Sequence, residues 1–206
     1  MVLKKVVFFF IKILSFLVYP FYILFRKIGK PLISLLNAEL ITLRLKSKGV
    51  QIGNNFRVGK NPTIRVGKNT NIKIGNNVVL GDDVYINVKR NSELFIGNNV
   101  HINKGVRISS FESISIGNDV LIASYCNLLD HNHQFDLKSP ASTKYYDCAP
   151  IKLENGSWLG TKVQVNKGTI VGEFSIVASN SVVTKNISKS CIYGGIPAKK
   201  IKCLEK

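Results

Sequence analysis

The sequence predicts an all-β solenoid, a stacked parallel β-helix preceded by membrane-associated α-helices. Three observations carry this reading. First, aliphatic residues recur at every sixth position through Leu153, Leu159, Val165, Val171, Val177 and Val183. The same beat runs earlier as Ile52-Val58-Ile64, Ile74-Leu80-Ile86, Ile96-Ile102-Ile108 and Ile116-Ile122-Leu128. It is neither the 3.6 of a helix nor the 2 of a half-buried strand. A six-residue beat fits short strands wound around a narrow core, each coil covering its neighbour. Second, Ile-Gly-Asn-Asn recurs at 52–55, 74–77 and 96–99, and Ile-Gly-Asn-Asp follows at 116–119. Third, the fourth residue beyond a beat position is small or β-branched at Val78, Val84, Val100, Val106, Val120, Cys126, Thr169, Ser175 and Ser181. Phe56 departs from this in the first coil, where a bulky capping residue is tolerable.

The front of the chain, residues 1–30, is apolar and basic. Residues 6–25, VVFFFIKILSFLVYPFYILF, are long enough to just span a hydrocarbon core of about 30 Å. Against a simple span stand Lys12 in mid-segment, the helix-breaking Pro20, and basic residues at both ends (Lys4, Lys5, Arg26, Lys27, Lys30). No small-x-small cleavage site follows, which disfavours a signal peptide. The preferred reading is a monotopic anchor of two short helices broken at Pro20, its cations on anionic headgroups; a span and a segment packed on the protein stay open. Residues 31–49 read as an amphipathic linker helix, with Pro31 near its start and Gly49 as its stop.

Residues 50–188 form the β-helix. Three hexads make an 18-residue triangular coil, so anchor spacings of 22, 22 and 20 residues imply short insertions at corners. Asn54, Asn55, Asn76, Asn77, Asn98 and Asn99 form corners, since Gly and Asn tolerate positive φ. After Leu128 the beat stops and resumes at Leu153, leaving an inserted loop, 129–152, with two of the three histidines. Such insertions on rigid scaffolds tend to carry function, and neutral imidazole is a natural base near pH 7; an inert polar excursion is the alternative. Residues 189–206 read as a C-terminal tail.

Charge and cysteines bound the partners. Net charge is +17, and residues 1–50 hold nine Lys or Arg against the single acid Glu39. This fits an anionic membrane surface or a phosphorylated ligand. No base-reading motif appears, so no nucleic acid partner is expected. Cys126, Cys148, Cys191 and Cys203 show no metal-ligand spacing, and no metal is expected. As scattered thiols they fit a reducing compartment, and Cys126 reads as a small core hydrophobe.

Beyond the beat stand VLIA at 120–123, DHNH at 130–133, Pro150-Ile151, WLG at 158–160, VVTKNI at 182–187 and GGIPAK at 194–199. With these motifs, residues from about 50 to 202 resemble the hexapeptide-repeat acyltransferases, in the branch with maltose, galactoside and streptogramin O-acetyltransferases and many polysaccharide acetyltransferases. The resemblance implies a left-handed β-helix, a homotrimer with active sites between adjacent solenoids, acetyl-CoA as donor, and a histidine base acting by direct transfer. Run forward from VLIA, it puts the catalytic position on His133; Asn132-His133 with Asp136 also matches the streptogramin branch. His131 is the second candidate, expected on the opposite side of an extended segment, and Asp130 is either an orienting carboxylate or a turn residue. The oxyanion is expected near the backbone of Gly160-Thr161. By resemblance Trp158 flanks the donor groove, Thr161 and Ser179 line the pantetheine arm, and Thr184, Lys185, Lys199 and Lys200 meet the adenine and phosphate end. Trp158 as a wedge at a trimer contact, and the last lysines as a solvated tail, remain alternatives. Asn166-Lys167-Gly168 replaces the family's Asn-Pro-Gly. His101 precedes a beat position and should face outward, as a surface residue or at a trimer cleft.

Two functional readings follow, with a third from another class. An O-acetyltransferase would act on a surface polysaccharide or lipid-linked glycan precursor at the cytoplasmic face of a bacterial inner membrane. An acetyltransferase for a soluble molecule, such as a nucleotide-sugar amine, free sugar or antibiotic, would have no use for the apolar front. A non-catalytic or metal-binding solenoid is the third; the adjacent HNH does not look like a γ-type carbonic anhydrase, and ice-binding Thr ranks are absent.

Overall fold

A computed structural model of the chain describes residues 18–23, 25, 30–135 and 144–204. The chain divides into two units between Ile41 and Thr42. In the first, residues 18–23 are helical, and Val18, Tyr19, Phe21 and Tyr22 are exposed, as is Phe25. Among the described residues no helix is long and apolar enough to cross a membrane, and most of the apolar segment 6–25 lies outside them. Helix α1 (Lys30–Lys46) exposes Leu36, Leu40 and Leu43, a stripe at helical spacing. Gly49, at φ +84°, ends it, and the N–H groups of Lys48 and Val50 both reach back to the Leu45 carbonyl.

The second unit is a triangular prism of parallel strands, about six coils tall. Face A holds β1 (Gln51–Ile52), β4 (Asn71–Ile74), β7 (Glu93–Ile96), β10 (Ser113–Ile116), β15 (Ile151–Leu153) and β18 (Ile170–Val171). Face B holds β2 (Arg57–Val58), β5 (Val79–Leu80), β8 (His101–Ile102), β11 (Leu121–Ile122), β16 (Trp158–Leu159) and β19 (Ile176–Val177), then β21 (Cys191–Gly194) and the antiparallel β22 (Lys199–Cys203). Face C holds β3 (Thr63–Val66), β6 (Tyr85–Val88), β9 (Arg107–Ser110), β12 (Asn127–Leu129), β17 (Gln164–Asn166) and β20 (Val182–Val183). The hexad residues fill the axis: Ile102, Ile108, Ile122, Leu128, Leu153, Leu159, Val165 and Val171 are at most 1% exposed. Ile52 and Ile64 are only half-buried, because the first coil is covered from one side.

The two asparagines of each Gly-Asn-Asn corner play different parts. Asn55, Asn77 and Asn99 take φ of 56°, 56° and 55°. Their amides stack down the corner, Asn55 donating to Asn77, Asn77 to Asn99 and Asn99 to Asp119, each at 2.9 Å. Asn76, Asn98 and Asn118 instead accept, at 2.8 Å, from the backbone N–H of Asn54, Asn76 and Asn98 in the coil above. The glycines before them let the coils close up: a Cβ on Gly97 would lie 2.7 Å from the Gly117 carbonyl group.

The insertions implied by the 22- and 20-residue spacings fall at one edge, between faces C and A. The chain runs through 67–70 and 89–92 there, then through the shorter 111–112. The long loop leaves β12 and returns to β15 at this same edge.

The cysteines correct the sequence reading. Cys191 and Cys203 form a disulfide across the β21–β22 pair, so the four are not all free thiols, and their number does not argue for a reducing compartment. Cys126 is fully buried, its Sγ 3.0 Å from the Gly160 carbonyl oxygen, and burial pushes the thiol up to about 11.

Candidate active site

The base of the inserted loop is ordered by pairing. Strands β13 (His131–His133) and β14 (Tyr146–Cys148) run antiparallel, with His131 opposite Cys148 and His133 opposite Tyr146. Residues 136–143 at its tip, Asp136 among them, lie outside the described residues.

Asp130 anchors the loop. Its side chain is completely buried. One oxygen accepts from the Phe111 N–H at 2.8 Å, and the other accepts from Phe111 at 3.0 Å, Glu112 at 2.9 Å and the Ser110 hydroxyl at 3.2 Å. Two backbone donors and the Ser110 hydroxyl, which it shares with the Glu93 carbonyl at 2.6 Å, offset the cost of burying the carboxylate. An Asp that only formed a turn would not gather them. The first oxygen also lies 3.2 Å from Nδ1 of His131. A proton on Nδ1 donated to this carboxylate leaves Nε2 as an acceptor.

The His131 ring lies flat on Phe111, centroids 3.5 Å apart and planes 5° apart, with only 13% of the side chain exposed. Tyr146 closes the cluster edge-on to both rings, 4.7 Å from Phe111 and 5.5 Å from His131. Tyr146 also touches the His133 ring, at 4.9 Å. The expectation that the two histidines face opposite sides is therefore wrong. Strand side chains alternate with period two, so residues i and i+2 share a face. His131 is wedged and held; His133 is exposed beyond it. Lys89 completes the cluster, its Nζ 4.4 Å from the Phe111 centroid and 3.9 Å from that of Tyr146.

Phe111 and Tyr146 were not singled out from the sequence. The available signal was the 20-residue spacing, which places Phe111 at the corner beside the loop in the coil before it.

The residues expected to meet the donor are spread over the prism. Trp158 is 44% exposed on face B. Thr161 and Ser179 meet at the edge between B and C, where the Thr161 N–H donates to Ser179 Oγ at 3.1 Å. Thr184 and Lys185 follow β20, on the histidine edge but further along the prism. Lys199 and Lys200 are exposed on β22, opposite Gly194 and Tyr193. The structure thus joins Thr161 with Ser179 and His131 with Asp130, but leaves Trp158, Thr161 and Ser179 away from the histidine edge of their own chain.

The Gly160 and Thr161 N–H groups, expected near the oxyanion, are both engaged within the prism. Gly160 already donates to the Val177 carbonyl at 2.8 Å and Thr161 to Ser179. His101 is exposed on face B, as its position beside Ile102 requires. Among the described residues no group of three or more His, Cys, Asp and Glu side chains could hold a metal ion.

No family model matches the chain. It is similar to the "Putative lipopolysaccharide biosynthesis O-acetyl transferase WbbJ" of Escherichia coli K12, 38% identical over 109 residues covering 49% of this chain and 56% of that one. It is also similar to the galactoside O-acetyltransferase of the same strain, 29% identical over 102 residues covering 50% of each. The chain thus spans about half the length of these curated relatives. Among solved structures, a point mutant of the N-acyltransferase AntD of Bacillus cereus, crystallised with a dTDP-amino sugar and coenzyme A, superimposes with a TM-score of 0.69. That match has 22% identity and covers 80% of this chain and 90% of AntD, so it speaks for the fold. The chain is thus similar, over about half its length, to proteins named O-acetyltransferases, and it shares its fold with the N-acyltransferase AntD.

Proposed function

We propose that the protein transfers an acetyl group from acetyl-CoA to a sugar hydroxyl of a surface polysaccharide or lipid-linked glycan precursor. The observation that carries this is the separation within one chain of the histidine edge from Trp158, Thr161 and Ser179. Packed as a homotrimer, each copy would offer its histidine edge to one neighbour and its Trp158 side to the other, completing a site that a lone prism lacks. The match to WbbJ supports a glycan acceptor over a soluble one.

The donor suits the residues present. Trp158 is open enough to pack on a pantetheine arm, and Lys185, Lys199 and Lys200 are exposed cations for phosphates. Bound acetyl-CoA supplies the acetyl thioester. His133 removes the proton of the acceptor hydroxyl as its oxygen attacks the thioester carbonyl; the C–S bond then breaks, CoA leaves as the thiolate and takes up that proton, and no enzyme nucleophile is required. His131, fixed by Asp130 and Phe111, holds Tyr146 and the hairpin beneath His133. A second reading makes His131 the base, because Asp130 orients its Nδ1. The apolar front and its cations would hold the protein on the cytoplasmic face of an inner membrane.

The test is CoA-thiol release from acetyl-CoA with lipid-linked and soluble glycans, comparing wild type with His133→Ala and His131→Ala. Loss of a general base lowers turnover by about 10²–10⁴-fold. That loss is expected in His133→Ala; full turnover there with loss in His131→Ala transfers the role to His131. Failure of the wild type to bind acetyl-CoA, or sedimentation as an active monomer, would sink the reading.

A further inference from the structure

We infer that face C is the platform for the acceptor chain and that this acceptor is an anionic glycan carrying carboxylate or phosphate groups. The inference rests on the acetyl-transfer reading for the word acceptor, and on three observations of its own.

The first is charge. Residues 51–110 hold nine Lys or Arg and three acids, a difference of +6. The three acids lie elsewhere: Asp82 and Asp83 at the edge between B and C, where they accept from the Lys60 N–H and pair with Lys104, and Glu93 on face A beside Asn71. The strands of face C contain no acidic residue at all. Among the described residues the ion pairs involve Lys104, His131, Lys152 and Lys167, so Arg65, Arg107 and Lys89 face no carboxylate partner.

The second is the way these cations are held. Arg107 lies directly across from Tyr85 with its guanidinium carbon 4.6 Å from the ring centroid, and Arg65 approaches the same ring at 5.6 Å. Stacking on an aromatic ring fixes the planar fork that binds a carboxylate or phosphate through two parallel N–H groups. Lys89 is likewise seated over Phe111 and Tyr146.

The third is layout. Outward positions alternate along a strand, so β6 presents Tyr85, Asn87 and then Lys89, while β9 presents Arg107 and, past the buried Ser109, Phe111. Arg107 and Phe111 are four residues apart, about 13 Å along an extended strand. Between the two cationic ends lies the short polar Asn87, half-buried, with Ser109 buried beside it, a low floor. A chain laid along it runs from the stacked arginines directly to the histidine cluster. A membrane surface fits less well: no large apolar side chain is exposed on the strands of face C, and so none would enter a bilayer.

The test uses the whole chain in detergent and measures equilibrium binding of an oligogalacturonate, of its carboxyl-reduced counterpart, and of phosphatidylglycerol vesicles. Acetyl-CoA binding is measured on the same samples. The oligogalacturonate should bind the wild type and weaken with added salt. Losing two charge-assisted contacts in Arg65→Ala/Arg107→Ala should weaken it by at least about tenfold, with acetyl-CoA binding unchanged. Arg65→Lys/Arg107→Lys, which keeps the charge but not the fork, should fall between. Equal binding of the reduced oligomer, no binding of the charged one, or an undiminished double variant would overturn the inference. So would a variant that loses only vesicle binding, which would make face C a membrane surface. Loss of acetyl-CoA binding by the wild type would instead strike at the transfer reading and leave the glycan result to stand by itself.

Discussion

Replacing Asp130 with asparagine keeps the shape of the loop's anchor and changes one atom. A carboxylate offers acceptors on both oxygens, whereas an amide offers one oxygen and two N–H donors. Here both positions face donors: Phe111 N–H on one side, and Phe111 N–H, Glu112 N–H and the Ser110 hydroxyl on the other. Whichever way the amide turns, a donor meets a donor in a site with no access to water. Losing one or two charge-assisted hydrogen bonds and leaving a buried N–H unsatisfied costs about 3–5 kcal/mol. With a urea slope of about 2 kcal/mol per molar, the unfolding midpoint falls by about 2 M at unchanged slope. Trp158, the single tryptophan, sits in the coil after the loop and reports the transition by fluorescence. Amide exchange at Phe111 and Glu112 should quicken even where the prism stays folded, because coils of a solenoid open locally. A loss below about 1 kcal/mol with those amides still protected would refute the anchoring role.

Three further outcomes follow from the coils. Gly97→Ala sets a Cβ 2.7 Å from the Gly117 carbonyl, so the coils must part; thermal unfolding should show a loss of about 1–3 kcal/mol. Asn99→Ala leaves a β-carbon at φ 55° and removes an amide from the ladder, costing about 1–2 kcal/mol, while Asn99→Gly should recover part of it. Cys126 should resist alkylation in the native protein at mildly alkaline pH and react fully in denaturant. Because burial raises its folded-state value, its contribution to stability is complete below the ordinary value of 9.0 and is lost as pH rises from there through about 11. Unfolding of Cys126→Ala should lack that alkaline component.

The prism was legible because its cause is periodic. One side chain per hexad must reach the axis, so Ile102, Leu128 and Val165 announce themselves at fixed intervals whatever lies between. The corner residues were legible for a related reason, although sequence alone gave Asn54 and Asn55 one role where the coils use two. The site was only half legible. DHNH marks the place, but what holds it comes from outside the loop: Phe111 and Lys89 belong to earlier coils, and Tyr146 arrives from the far strand of the hairpin. These contacts are set by stacking across coils, which leaves no local pattern. The Cys191–Cys203 link was hidden similarly, since the beat ends at Val183 and nothing in it foretells the antiparallel return of β22.

Every departure from the 18-residue coil before Leu153 falls at the edge between faces C and A, in lengths of four, four and two residues and then a whole loop. The edge works as an expansion joint. Chain can be added there without shifting the phase of any hexad on either side, because the strand that enters and the strand that leaves keep their partners. It is therefore a natural splice point: a peptide or reporter module grafted between Lys68 and Asn69 would extend this rim and spare the hexads, whereas 89–92 carries Lys89 of the histidine cluster and the buried Ser92.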